Sequence, residues 1–196
     1  MTLKSKLKYD YNSIPPGYYD RVFHRGIGVQ SKWHQLKFEY TRGHMENYTN
    51  HLDIGCGPGF FTIDMADMVG ETGRVIASDL QEGMLQKLSD KVKGTRYKDR
   101  IILRNSEEES LGSLEGIDFA LAFYMVHEVP DKGPFFRDVW SALKPGGQVL
   151  IAEPPFHVSK KEMEKMLGMA REAGFTDGPG PKMLFSKTVL LKKYQP

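Results

Sequence analysis

One stretch of the sequence combines an acidic residue with glycine at every second position. Asp53 is followed by Gly55, Gly57 and Gly59. Glycines at this density let a backbone turn tightly and approach a ligand with no Cβ in the way. An apolar stretch precedes the loop and residues 60–66 have a helical pattern, so a strand, a glycine-rich loop and a helix follow in order. This order predicts a binding site for a nucleotide-type cofactor.

The spacing of the glycines indicates which cofactor. The dinucleotide fingerprint G-x-G-x-x-G would place its third glycine at position 60, which is Phe60. Asp53 would repel a pyrophosphate, which needs bare backbone N–H groups at a helix N-terminus, but would attract an ammonium group. These features favour S-adenosylmethionine, which carries a sulfonium and an amino group and no phosphate. Cys56, inside the loop, is interpreted as a small filler and not as a nucleophile.

A second apolar strand ends in another acidic residue. Asp79 follows the glycine loop by about 20 residues, the distance at which a carboxylate accepts hydrogen bonds from both ribose hydroxyls of a bound nucleotide. Several adenosine-binding families share this feature. Asp79 therefore supports an adenosine-type ligand, with the neighbouring Leu80 beside it, without choosing among such ligands.

The elements that must position these loops alternate along the chain. Apolar runs predict strands over residues 48–54, 74–79, 100–103, 117–123 and 148–153, with two short closing strands over 183–185 and 188–191. Helical spacing predicts core helices over residues 60–69 and 82–92, one through 135–143 that Lys144–Gly147 terminates, and one that begins at a Ser159–Glu162 capping box. Residues 1–47 are predicted to be a basic leader and two helices, and residues 48–196 a single core domain.

In this order, the motifs resemble those of the class I S-adenosylmethionine-dependent methyltransferases. Residues 53–59 are similar to their first motif, and residues 143–151 read Leu-Lys-Pro-Gly-Gly-x-x-Leu-Ile. Residues 127–131 read His-Glu-Val-Pro-Asp, which is similar to the segment found in the groups that methylate quinones and arsenite. The resemblance covers about residues 48–193. It implies an α/β, Rossmann-like, doubly wound sheet of seven strands, mostly parallel, with a C-terminal antiparallel hairpin and additional N-terminal helices.

The resemblance also implies further contacts with the cofactor. Glu107, with Ser106 beside it, corresponds to the position that accepts the adenine amino group. Met84, early in its helix, corresponds to a side chain that packs on the adenine ring, although core packing would explain it equally well. Phe123, at the end of the fourth strand, closes the set of expected cofactor-binding residues.

The acceptor is expected near the segment that follows the fourth strand, since ligands bind at the carboxyl ends of strands in open α/β sheets. Methyl transfer is an in-line displacement, so holding the reactants in line supplies most of the acceleration. Where the acceptor must lose a proton, a general base helps. His127 and Glu128 are the first candidates, followed by Tyr124, His157 and the histidines of the N-terminal segment. Tyr124, and Tyr18 and Tyr19 in the aromatic N-terminal segment, are expected to contact the substrate or form a lid; a purely structural helical cover is the alternative.

Composition excludes several classes of function. A chain of 196 residues with 40% hydrophobic and 27% charged residues suits one soluble domain. A net charge of +2 is too small for a nucleic-acid surface, no apolar run reaches a membrane span, and no signal peptide is visible. A single cysteine fits a cytoplasmic protein, and no metal site is expected because no His/Cys cluster has zinc spacing.

One motif resembles that of another methyltransferase class and is rejected. Glu153-Pro154-Pro155-Phe156 is similar to the signature of enzymes that methylate amines of DNA bases. That signature belongs after the fourth strand, whereas this one follows the fifth and begins with Glu. The expected partner is a small-molecule methyl acceptor, and a homodimer is left open. The alternatives are a cofactor-binding subunit that needs a partner for activity and, on the same fold, a nicotinamide-dependent oxidoreductase.

Overall fold

The computed structural model describes residues 32–107 and 110–194. Its helices are α1 Lys32–Arg42, α2 Thr62–Met68, α3 Glu82–Val92, α4 Lys132–Ala142 and α5 Lys160–Glu172. Its strands are β1 Asn50–Ile54, β2 Arg74–Asp79, β3 Ile101–Asn105, β4 Ile117–Phe123, β5 Leu143–Glu153, β6 Phe175–Pro179 and β7 Lys187–Lys193. Tyr18 and Tyr19 lie outside the described residues.

The strands form one seven-stranded sheet in the order β3-β2-β1-β4-β5-β7-β6. Strands β1 to β5 are parallel, and β7 pairs antiparallel with both β5 and β6. The strand order reverses between β1 and β4, and in open α/β sheets ligands bind at such a point. The predicted Rossmann-like sheet with an antiparallel C-terminal hairpin is confirmed.

Helices cover both faces of the sheet. Side chains of α2 and α3 pack with one set of strand residues, and those of α4 and α5 pack with the other. Strand β1 shows the alternation, since Leu52 and Ile54 point to the α4–α5 face and Asp53 reaches α2 on the opposite face. Burial on both faces explains why the central strands read as nearly continuous apolar runs.

Some predicted bounds were wrong. The first two core helices were placed at residues 60–69 and 82–92; the first begins later, at Thr62, and the second is confirmed. The third strand begins at Ile101 and continues to Asn105, because its ladder with β2 extends to the pair Asp79–Asn105. Helix α4 ends at Ala142 without a glycine cap, since Leu143 is already extended and pairs with Ile117.

The closing hairpin contains a different strand from the one predicted. Residues 183–185 were expected to form its first strand, but β6 is Phe175–Pro179. Its Thr-Asp-Gly-Pro sequence carries little strand propensity, so pairing with β7 defines it.

Candidate S-adenosylmethionine site at the carboxyl ends of the strands

The glycine loop follows β1 and is bonded to the end of β2. The backbone N–H groups of Gly55 and Cys56 donate to the carbonyl of Ser78 at 2.8 and 3.0 Å. Gly55, Gly57 and Gly59 have φ values of +68°, +53° and +86°, in the region that residues with a Cβ rarely adopt. The alternating glycines are therefore required by the backbone of the loop.

Two of these glycines also differ in what surrounds them. Among the residues that the structure describes, a Cβ on Gly57 would meet no atom within 4 Å, whereas a Cβ on Gly59 would lie 2.4 Å from Cδ1 of Leu88 on α3. Leu88 is itself fully buried, so it has little room to move away. Gly59 thus allows the loop to pack on α3, while open space remains beside Gly57 for a ligand.

We expect Gly59→Ala to lower the free energy of unfolding by about 2–4 kcal/mol, because it combines a strained φ with overpacking against Leu88. Gly57→Ala is the matched control. It adds the same Cβ at a positive φ but in open space, so we expect a loss of only about 1–2 kcal/mol. Urea unfolding of both variants measures the difference, and equal losses would contradict the packing role of Gly59.

Asp79 joins the loop to the end of β2. Its two carboxylate oxygens accept backbone N–H groups from Gly57 at 2.8 Å and from Gln81 at 2.9 Å. Burial raises the pKa of Asp79, and backbone hydrogen bonds from Gln81, Gly57 and Leu80 oppose that shift. The amide of Asn105 donates to the carbonyls of Asp79 and Leu80, both at 3.0 Å. The carboxylate is therefore held in place from both sides, next to the open space beside Gly57.

Asp53 lies in β1, two residues before the first glycine of the loop. Its side chain is 2% exposed and accepts a hydrogen bond from the Thr62 hydroxyl at 2.6 Å, which ties β1 to the first turn of α2. Burial raises the pKa of Asp53 to about 7; the Thr62 hydrogen bond opposes this shift and the charge of Asp79 adds to it. Cys56 is buried too, and burial raises the pKa of its thiol.

The residues expected around adenine follow β3 or come after Asp79 along the chain. Ser106 follows β3, and its N–H donates to the carbonyl of Asp79 at 3.0 Å. Glu107 is exposed, and its backbone bridges Ser110. Leu80 is 54% exposed beyond the end of β2, whereas Met84 on α3 is 5% exposed. Ser106 and Glu107 therefore share an edge of the sheet with Asp79, while Met84 is largely covered by the protein itself.

The segment after β4 packs directly on the glycine loop. A Cβ on Gly55 would lie 3.0 Å from Cβ of Met125, and the ring of Phe123 lies 4.5 Å from that of Phe61 in the loop-to-helix segment. Phe123 also contacts the ring of Tyr124 at 4.3 Å. The residues expected to meet the acceptor therefore lie at the same edge of the sheet as the loop.

Tyr124 is connected to α1 by a buried lysine that the sequence reading missed. Lys37 donates to the hydroxyl of Tyr124 and, at 3.1 Å, to that of Ser186, and its ammonium lies 4.9 Å from the centre of the Phe123 ring. Lys37 is 2% exposed, and burial lowers its pKa to about 8. Tyr124 has a φ of +57°, and its hydroxyl donates to the Phe185 carbonyl at 2.8 Å.

His127 and Glu128 end a short 3₁₀ helix, Val126–Glu128, that follows β4. Nδ1 of His127 lies 2.5 Å from Oε2 of Glu153, and the backbone N–H of His127 donates to Oε1 of the same carboxylate at 3.2 Å. Glu153 ends β5 and is fully buried, whereas the side chain of His127 is 20% exposed. Oε1 of Glu128 lies 3.8 Å from Nε2 of His127.

Glu153 was read only as part of the rejected Glu-Pro-Pro-Phe motif. A signal was available, because two predicted parallel strands end in an acidic residue, Asp79 and Glu153, and a third carries Asp53 one residue before its end. Within the described ranges, no three His, Cys, Asp or Glu side chains gather into a metal-binding group. Nor does any helix in the part of the chain that the structure describes have the length and apolar character to span a membrane.

Comparison with known proteins agrees with this geometry. A family described as methyltransferase domain matches residues 52–147, from β1 to the start of β5. The chain carries a class I S-adenosylmethionine-dependent methyltransferase domain. A crystal structure of a SAM-dependent methyltransferase from Aquifex aeolicus covers 83% of this chain and 92% of its own, with a TM-score of 0.69 and 24% identity, and supports the fold.

Curated relatives of this methyltransferase domain share a name. Demethylmenaquinone methyltransferase of Lactobacillus johnsonii is 28% identical over 128 residues, which are 65% of this chain and 52% of that protein. The protein of the same name from Lactococcus lactis is 28% identical over 159 residues, which are 79% of this chain and 62% of that protein. The chain thus spans about half to three-fifths of the length of these relatives.

Membership of this class implies S-adenosylmethionine as the cofactor, and the methyltransferase site fits it. The space beside Gly57 has no Cβ to fill it, and the carboxylate of Asp79 borders it. Asp53 and Asp79 lie close enough for the charge of Asp79 to raise the pKa of Asp53. Asp79 is the acidic group at the edge of this space, and a carboxylate there suits the ammonium and sulfonium of this cofactor better than a pyrophosphate.

Proposed function

We propose that the chain transfers a methyl group from S-adenosylmethionine to a small-molecule acceptor. The observation that carries the proposal is the open space beside Gly57, which the carboxylate of Asp79 borders. When bound, the cofactor supplies a methyl group carried on a sulfonium sulfur. After the transfer, that sulfur is part of a neutral thioether. The protein is proposed to hold the ribose at Asp79 and the adenine near Ser106 and Glu107.

The acceptor is proposed to bind beside Tyr124 and His127 in the segment after β4, next to the point where Phe123 packs on Phe61 and Met125 on Gly55. Because the matched relatives are named demethylmenaquinone methyltransferases, a demethylmenaquinone-type compound is the first acceptor to assay. His127 is the proposed general base. An acceptor that binds through O–H, N–H or an acidic C–H gives its proton to the imidazole as the new bond to the methyl carbon forms. We place this reaction in the cytoplasm.

Calorimetric titration tests the proposal. We expect both S-adenosylmethionine and S-adenosylhomocysteine to bind, and mass spectrometry of the acceptor to show the mass of one added methyl group. No heat with either compound at high micromolar concentration would overturn the proposal. Fluorescence titration with NADH gives the comparison for a nicotinamide enzyme, for which we expect no binding.

The alternative of a cofactor-binding subunit makes a different prediction for the same experiment. The segment between β5 and α5 is short, from Pro154 to Ser159, which leaves little room for a cover over the acceptor. If the subunit alternative holds, calorimetry will show binding, but the transfer assay will show a product only after a partner chain is added.

A further inference from the structure

We propose that Glu153 is a positioning residue that holds His127 as the base of the methyl transfer, with Nδ1 donating to Glu153 and Nε2 facing the acceptor. This inference rests on the function proposed above. Glu153 ends β5, and His127 lies in the 3₁₀ helix that follows the neighbouring parallel strand β4. The β4–β5 ladder pairs Phe123, the last residue of β4, with Ala152, one residue before Glu153.

The carboxylate fixes the histidine at two points. Oε2 of Glu153 lies 2.5 Å from Nδ1 of His127, and Oε1 accepts the backbone N–H of His127 at 3.2 Å. An ionised carboxylate has no proton to donate, so Nδ1 must carry the proton in this contact. In the neutral imidazole, Nε2 is then the unprotonated nitrogen. This is the tautomer that a base acting through Nε2 requires.

Burial makes this arrangement specific. Glu153 is fully buried, and both hydrogen bonds to its side chain among the described residues are with His127. A buried carboxylate is unfavourable without a hydrogen-bonded partner, so the geometry holds the ring in one orientation. When Nε2 takes a proton from the acceptor, the imidazolium that forms lies against a negative charge. The proton, the methyl group and the neutral thioether account for all of the atoms and charge in the step.

The charged and titratable groups around His127 act in both directions. Burial lowers the pKa of His127, and the charge of Lys132 at the start of α4 also lowers it. The hydrogen bond and charge of Glu153, together with the charge of Glu128, outweigh these effects, so the pKa of His127 is raised above 6.5. The ring of His157 lies edge-on at 5.5 Å between centroids. The neutral base is therefore expected to accumulate only as the pH rises past 6.5.

NMR titration of the histidine ring tests the inference without any substrate. In the wild-type protein we expect His127 to titrate above pH 6.5, with Nδ1 protonated in the neutral form. In Glu153→Gln we expect the pKa of His127 to fall, because the negative charge is gone and the shape is kept. Glu164→Gln, on the exposed face of α5, removes one carboxylate elsewhere and should leave the titration unchanged.

The same variants separate this inference from the proposed function. If transfer activity is present, Glu153→Gln should lower kcat by at least about tenfold. The loss should not exceed the ~10²–10⁴-fold that a general base supplies. The rising limb of the pH–rate profile should move to lower pH in this variant. An unchanged titration and an unchanged kcat in folded Glu153→Gln would overturn the role of Glu153. If that variant does not fold, a wild-type His127 that titrates below 6.5 overturns it instead. A shifted titration in a protein without transferase activity would refute only the function.

Discussion

Asp79→Ala is expected to weaken binding of S-adenosylmethionine about 5- to 150-fold, which corresponds to about 1–3 kcal/mol for the loss of hydrogen bonds to a charged acceptor. The carboxylate lies beside the open space at Gly57, and two backbone N–H groups, from Gly57 and Gln81, hold its orientation before any ligand arrives. A preorganised acceptor loses little entropy when a ribose diol donates to it. Calorimetry measures the change directly.

The control for this variant removes a carboxylate that takes no part in the site. Asp67 on α2 is 55% exposed and pairs with Arg96 on the surface, so we expect Asp67→Ala to leave the affinity unchanged. Because Asp79 also binds the loop, the stability of each variant is measured by urea unfolding alongside its affinity. A folded Asp79→Ala protein with wild-type affinity would remove Asp79 from the cofactor site.

Asp79 is a residue whose place beside the glycine loop could be predicted from the sequence. Its role was predicted from an apolar run that ends in an acidic residue about 20 residues after a glycine loop. The position of Asp79 is predictable because its strand is buried on both faces and its carboxyl end must lie beside that of its parallel neighbour. The structure confirms the arrangement of the two elements, whose ladder joins Ile54 to Ser78. The contact with ribose stays a prediction.

Lys37 shows where such reasoning stops. It lies in a segment with many basic residues, and nothing in its neighbours along the chain distinguishes it from a solvated lysine. Its burial depends on Tyr124 and Ser186, which are 87 and 149 residues away. Strand β6 was not predicted for the same reason, because its extended conformation depends on pairing with β7 and its own composition does not favour a strand. Contacts distant in sequence need the packed fold before they can be read.

His127 was predicted as a candidate base without the partner that binds its ring. The His-Glu pair at 127 and 128 was identified from its place after the fourth strand, but the carboxylate that binds the ring is Glu153, 26 residues further on. Glu128 is more exposed than His127, with 45% of its side chain accessible. Its carboxylate also lies farther from the imidazole ring than the carboxylate of Glu153 does. The catalytic role of both residues stays a prediction, and the geometry favours His127 over Glu128 as the base.

His127→Ala is expected to lower kcat about 10²- to 10⁴-fold, the usual contribution of a positioned general base. Cofactor affinity should stay unchanged, because Asp79 and the glycine loop hold their geometry without the imidazole. His157→Ala is the matched comparison, since it removes a neighbouring imidazole that is exposed and has no hydrogen bond to Glu153 in the described residues. Steady-state kinetics and calorimetry on the same preparations separate the two effects.

The pH dependence of the wild-type enzyme supplies the second arm of this prediction. A base must be neutral to act, and the pKa of His127 is raised by Glu153 and Glu128 against the effect of burial. The rate should therefore increase with pH through a midpoint above 6.5, and this limb should disappear in His127→Ala because no imidazole remains to titrate there. If the limb persists in His127→Ala and disappears in His157→Ala, the base is His157. If kcat is unchanged in both variants, positioning alone accelerates the transfer and no histidine base is involved.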